Sequence, residues 1–143
     1  METDPHNLRR FVDAQDPVFD AVLRELAAGQ KRTHWMWFVF PQIQGLGHSP
    51  TAREFAIVSA NEAKAYADHA VLGPRLIQCA ELVIQANTRR IDEVFGYPDD
   101  LKFRSSMTLF DACTAGMDVF QQALDKYFQG QPDERTLAIL KGL

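Results

Sequence analysis

The stretch Lys31-Arg32-Thr33-His34-Trp35-Met36-Trp37-Phe38-Val39-Phe40-Pro41-Gln42 sets two cations and a histidine directly before a run of aromatic side chains. At a helix N-terminus, free N–H groups and the macrodipole already favour anions, and Lys31, Arg32 and His34 would add to this. Trp35 or Trp37 can stack on a planar ring or pair with a cation. Gln42 adds an amide at the end of the run, and His34 is a natural acid–base group near neutral pH. The chemistry such a stretch suits is the holding of a small anionic group. The plainer reading puts the aromatics in the core, Lys31 and Arg32 in solvent, and His34 on an ordinary hydrogen bond. Two tryptophans two residues apart point to different sides of a helix, so at least one is available to line something other than the main core.

A second stretch, Asp99 to Phe110, reads Asp-Asp-Leu-Lys-Phe-Arg-Ser-Ser-Met-Thr-Leu-Phe. If helical, Lys102, Ser105, Ser106 and Leu109 share one face, and Arg104, Thr108 and Asp111 another. Helix interiors do not favour adjacent serines, whose hydroxyls compete for backbone bonds. The face is therefore either a close helix contact or part of a polar pocket. In a pocket, Lys102 and Arg104 would bind an anion, with Asp100, Ser105, Ser106 and His34 as candidate catalytic groups. Adjacent acids at a helix start are also ordinary dipole partners. A third stretch, Gly45-Leu46-Gly47-His48-Ser49-Pro50, has glycines that would let a backbone approach a ligand and a serine where a helix begins. It lacks the Lys-Ser/Thr ending and preceding strand of a phosphate loop, so a plain loop with an N-cap is the better reading. His69 reads as a helix-end residue.

Composition bounds what these stretches belong to. A length of 143 residues suits one domain, residues 1–143, with residues 1–6 expected as a flexible N-terminus. A domain of this size buries about 70% of its unfolded surface, enough for a core without staples. Hydrophobic residues at 46% and charged residues at 24% are globular values. A net charge of −4 argues against general nucleic-acid binding. The polar start has no apolar leader and the longest apolar run, Trp35 to Phe40, is far below a membrane span, so the expected setting is cytoplasmic, away from membranes. Cys79 and Cys113 then read as two buried thiols rather than a disulfide. His6, His34, His48 and His69 show no metal spacing, and neither a metal nor a cofactor is expected.

Punctuation predicts the elements. Leu8, Phe11 and Val12 suit an opening helix, and Asp16-Pro17 reads as an N-cap with proline at the first position of a second. That helix carries Val18, Val22, Leu23 and Leu26 and stops near Gly29. Thr33 is placed to cap a short apolar helix to about Phe40, although Trp, Phe and Val also suit a strand. Ser49-Pro50 starts another, Ser59 and Glu62 make a capping box, and Gly73-Pro74 precedes a helix bearing Leu76, Cys79, Ala80, Val83 and Ile84. Ile91 to Phe95 is closed by Gly96, Pro98-Asp99-Asp100 opens a helix to about Cys113, Val119 to Tyr127 ends at Gly130, and Pro132-Asp133 opens the last. No alternating strand pair is present. The expectation is a single compact all-α multihelical domain of seven to nine short helices.

Phe11 to Pro17, Lys31 to Gln42, Gly45 to Pro50, Val71 to Arg75 and Asp99 to Phe110 together resemble the signature stretches of one bacterial family of small proteins, catalogued as a domain of unknown function. Some members are labelled calpastatin, a name nothing in this sequence supports. The resemblance spans nearly the whole chain and implies an all-α multihelical domain. It brings no activity, but its signature stretches coincide with the three segments above. His48 sits where the family is expected to vary and is weighted below His34.

Three readings follow. In the first, the stretches converge on a pocket for a small anionic, phosphate- or nucleotide-like ligand, as a binding site or an enzyme. In the second, an exposed aromatic face including Trp35 or Trp37 engages a protein partner. In the third, the stretches only hold the fold together, with Asp99 or Asp100 pairing with Arg32, and alanine at Arg104 or Ser106 lowers thermal stability.

Overall fold

The computed structural model describes residues 3–143, and the described residues form ten helices. They are α1 (Arg9–Gln15), α2 (Phe19–Ala27), α3 (Met36–Val39), α4 (Pro50–Glu54), α5 (Ala60–Asp68), α6 (Leu72–Gln85), α7 (Ile91–Phe95), α8 (Asp99–Cys113), α9 (Val119–Phe128) and α10 (Glu134–Lys141). The count is one above the expected seven to nine, and each of the ten corresponds to an element read from the punctuation. Helix α8 is the axis: α5, α7, α9 and α10 pack around it, and α6 joins α2, α5 and α9. Its Phe103, Met107 and Phe110 enter the core, and Ser105, Ser106 and Thr108 are buried as well. Small hydroxyl residues allow neighbouring helices to approach an enclosed helix closely. Ser105 and Thr108 donate to the carbonyls of Leu101 and Arg104 one turn back, at 3.1 and 2.9 Å. Aromatic packing fixes the start of α8: Phe103 meets Phe40 edge-on at 5.0 Å and stacks with Phe95 at 5.1 Å.

Several caps form as the sequence predicts. Ser49 accepts from the Ala52 N–H, Ser59 from that of Glu62 and Asp133 from that of Thr136. Two expected caps do not. Asp16 ends α1, and its carboxylate pairs with Arg75 at 2.9 Å, while α2 begins three residues later at Phe19. Thr33 caps nothing, because its hydroxyl donates to Glu25 and α3 starts at Met36. Helix α6 begins at Leu72, ahead of Gly73-Pro74. A Cβ at Gly73 would lie 2.2 Å from the Ala67 carbonyl oxygen, so glycine allows α6 to start against the end of α5.

Two networks position the aromatic stretch. The buried Glu25 carboxylate accepts from the N–H groups of Arg32 and Thr33, the Thr33 hydroxyl and the Trp35 indole, at 2.7 to 3.0 Å. Farther along, the Phe38 carbonyl accepts from Gln15 and from the Tyr66 hydroxyl, at 2.7 and 3.1 Å. Beyond Pro41, an isolated parallel bridge joins Ile43 to Ile57, with Ile57 N–H donating to Gln42 and Gln44 N–H to Ile57, both at 2.9 Å. The 41–49 loop is thereby tied to the segment before α5, a helix that packs on α8. At the chain start, the Asp4 carboxylate accepts from the N–H groups of Leu8 and Arg9, and Met1 and Glu2 lie outside the described residues.

Candidate functional site

Between α3, the 41–49 loop, the start of α8 and the start of α10 lies a cleft of about 620 Å³. Its lining draws Trp37 and Gln42 from the first stretch, Gly47, His48 and Ser49 from the loop, and Lys102, Arg104 and Ser105 from α8. Tyr97, Pro98, Leu101, Asp133 and Arg135 also line it. All three chemically unusual stretches therefore meet at one concavity. The size suits a small-molecule site.

The charge of the lining is distinctive. Lys102, Arg104 and Arg135 face it, against the single carboxylate of Asp133, in a chain of net charge −4. Asp133 is committed elsewhere: its Oδ2 accepts from the N–H and hydroxyl of Thr136 at 3.1 and 2.6 Å, and Ser105 Oγ lies 3.3 Å away. Arg104 lies over the Phe128 ring at 5.3 Å and donates through Nε to the Gln131 carbonyl at 3.1 Å. That holds the guanidinium in place and leaves its two terminal nitrogens for a ligand. Among the described residues neither Arg104 nor Arg135 forms an ion pair. Two other concavities of similar volume among the described residues differ in kind. One of about 570 Å³ is walled mainly by alanine and leucine, and one of about 600 Å³ carries Asp92 and Glu93.

Not every expected site residue reaches the cleft. Trp35 is only 1% exposed, with its indole N–H on Glu25 and the Lys31 ammonium 5.2 Å from its ring centre, so no ligand can stack on it. Lys31 is buried against Asp99 rather than open to an anion. Arg32 is exposed and bonds the Gln30 side chain at 3.1 Å, which also removes the expected Arg32–Asp99 or Arg32–Asp100 tie. His34 is exposed outside the lining, and His48, weighted below it, takes the place in the cleft. Asp100 caps only the N–H of its own neighbour Leu101, at 2.9 Å. Ser106 is fully buried one turn below Lys102, and its hydroxyl has no partner. Gly47 is required for packing: a Cβ there would fall 2.7 Å from that of Ala52.

Sequence reasoning missed Arg135 and Tyr97. The only local signal for Arg135 was its position in the first turn of a helix opened by Pro132-Asp133, which says nothing of the distant α8.

A family model of proteins of unknown function (DUF1810) matches residues 5–140. The chain belongs to the DUF1810 family. A solved structure, that of the conserved hypothetical protein Rv1873 from Mycobacterium tuberculosis, is 54% identical, covers 96% of this chain and 99% of its own, and superposes with a TM-score of 0.95. No curated protein matches the sequence. The likeness to the solved structure supports the all-helical fold, and membership in DUF1810 carries no activity with it. Among the described residues no helix is long and apolar enough to cross a membrane.

Proposed function

We propose that the cleft binds a small phosphate-bearing ligand of nucleotide-like size, in a cytoplasmic domain. The observation that carries this reading is the lining itself: Lys102, Arg104 and Arg135 converge beside the half-buried Trp37 and the exposed Tyr97, in a chain that is acidic overall. Guanidinium groups suit phosphate oxygens through paired donors, and an indole or phenol face suits a planar ring. Two free thiols, Cys79 and Cys113, favour a reducing compartment. Any proton transfer to a bound ligand would use His48, the histidine in the lining, rather than His34.

Calorimetric titration with inorganic phosphate, pyrophosphate and nucleoside mono- and diphosphates tests the reading. Arg135→Ala and Arg104→Ala should each weaken binding about tenfold or more without changing the fold. No heat with any of these anions, or binding unchanged in both variants, would refute it. A second reading, a protein partner seated on the cleft, is favoured by the 81% exposure of Tyr97 beside the exposed Leu101. It predicts that Tyr97→Ser abolishes partner capture and leaves phosphate affinity intact.

A further inference from the structure

Lys31, Asp99 and Lys102 form a row of three charges running from the core to the cleft. The Lys31 ammonium lies 2.9 Å from Asp99 Oδ2, and the Lys102 ammonium 3.5 Å from Oδ1 of the same carboxylate. The side chains are 8%, 20% and 26% exposed in that order. Each lysine also sits over an indole, Lys31 at 5.2 Å from the Trp35 ring and Lys102 at 5.0 Å from that of Trp37. Lys31 is held from behind as well, since its backbone N–H donates to the Val94 carbonyl at 2.7 Å.

One carboxylate cannot neutralise two ammonium groups. A buried ammonium deprived of water needs a counter-charge far more than one at a cleft edge does. The deeper lysine takes the shorter contact accordingly, and Lys102 is left with a positive charge only partly offset. Lys102 lines the cleft, whereas Lys31 does not.

We infer that Lys31 is a positioning residue for the anion site: by occupying Asp99, it keeps the charge of Lys102 available to a ligand in the cleft. The inference rests on the phosphate-binding reading and adds a residue that never touches the ligand. Removing Lys31 alone would hand the whole Asp99 charge to Lys102 and weaken anion binding from a distance. Removing Asp99 along with it would free Lys102 again.

The test is a cycle of Lys31→Met, Lys31→Arg and the double variant Lys31→Met/Asp99→Asn, titrated calorimetrically with inorganic pyrophosphate at low salt, with melting temperature measured on each protein. Methionine keeps the buried stem without the charge. Lys31→Met should bind about tenfold more weakly. Lys31→Arg should bind like the wild type, and the double variant should return to within about threefold of it. A merely structural Lys31 would not be rescued by a second loss at Asp99, so equal weakness in Lys31→Met and the double variant overturns the inference. So does wild-type affinity in Lys31→Met. If wild-type protein binds no pyrophosphate, the site itself falls and the inference with it. If it binds and the cycle shows no coupling, only the role of Lys31 falls.

Discussion

Replacing Glu25 by glutamine should cost more stability than any other single change of similar size at the cleft's supports. Burial alone would raise this carboxyl. The hydrogen bonds it accepts, from the Arg32 N–H, the Thr33 hydroxyl and N–H, and the Trp35 indole, outweigh burial and lower it from 4.5 to about 2. A tenfold change in proton affinity is worth about 1.4 kcal/mol, so this difference corresponds to about 3 kcal/mol in favour of the folded state. The amide of glutamine has one acceptor oxygen and turns an NH₂ toward donors, so most of that stabilisation is lost. Unfolding entropy of roughly 0.3 kcal/mol/K for a chain this long converts the loss to a fall in melting temperature of about 10 °C at pH 7. Because the folded carboxyl is depressed, its contribution is complete above the ordinary value of 4.5 and disappears as pH falls through about 2. Melting curves of both proteins between neutral pH and the acid range should therefore show a wide gap that closes below pH 4.5. A fall of less than about 3 °C at pH 7, or a gap that persists unchanged into acid, would mean that the Glu25 charge does not hold this turn.

Other substitutions separate groups the structure treats differently. Ser106→Ala should leave the melting temperature unchanged or raise it, by up to about 1 kcal/mol in stability, because the wild-type hydroxyl is buried without a partner. A clear loss in thermal denaturation would show that a partner exists. Lys126 donates to the Ile84 and Ala86 carbonyls at the end of α6, so Lys126→Met should cost about 1–2 kcal/mol in a denaturant melt, and no cost would mean these carbonyls are satisfied by water. Burial pushes the Cys79 thiol up to about 12 and also raises Cys113, which is only half-buried. A disulfide-exchange reagent at pH 8 should find Cys79 silent and Cys113 slow, with both reacting in denaturant, and a fast native burst would contradict this.

Local rules made much of the fold legible. Ser49-Pro50, Ser59 with Glu62, and Pro132-Asp133 each announce a helix through a side chain and a backbone N–H three residues apart, and each forms. Asp16 and Thr33 read as caps on local grounds and do not act as caps, because the Asp16 carboxylate pairs with Arg75, distant in sequence, and the Thr33 hydroxyl donates to Glu25 eight residues back. The cleft was legible as chemistry but not as a set of residues. Nothing local distinguishes Trp35 from Trp37 or His34 from His48. The four bonds of Glu25 turn Trp35 inward, and the bridge between Ile43 and Ile57 ties the loop bearing His48 to the segment before α5, which packs on α8. Arg135 gave no sign of its role, since its proximity to Lys102 and Arg104 comes from α10 packing on α8.

The most direct test of the proposed phosphate site is a map of amide and side-chain NMR shifts during titration with adenosine monophosphate. Binding in the cleft should give saturable shifts concentrated at Trp37 Nε1, Lys102, Arg104, His48 and Arg135, with Trp35 Nε1 unmoved on its Glu25 partner. Shifts centred instead on the concavity at Cys113 and Leu137 or on that at Asp92 and Glu93, or no saturable shifts at all, would contradict it.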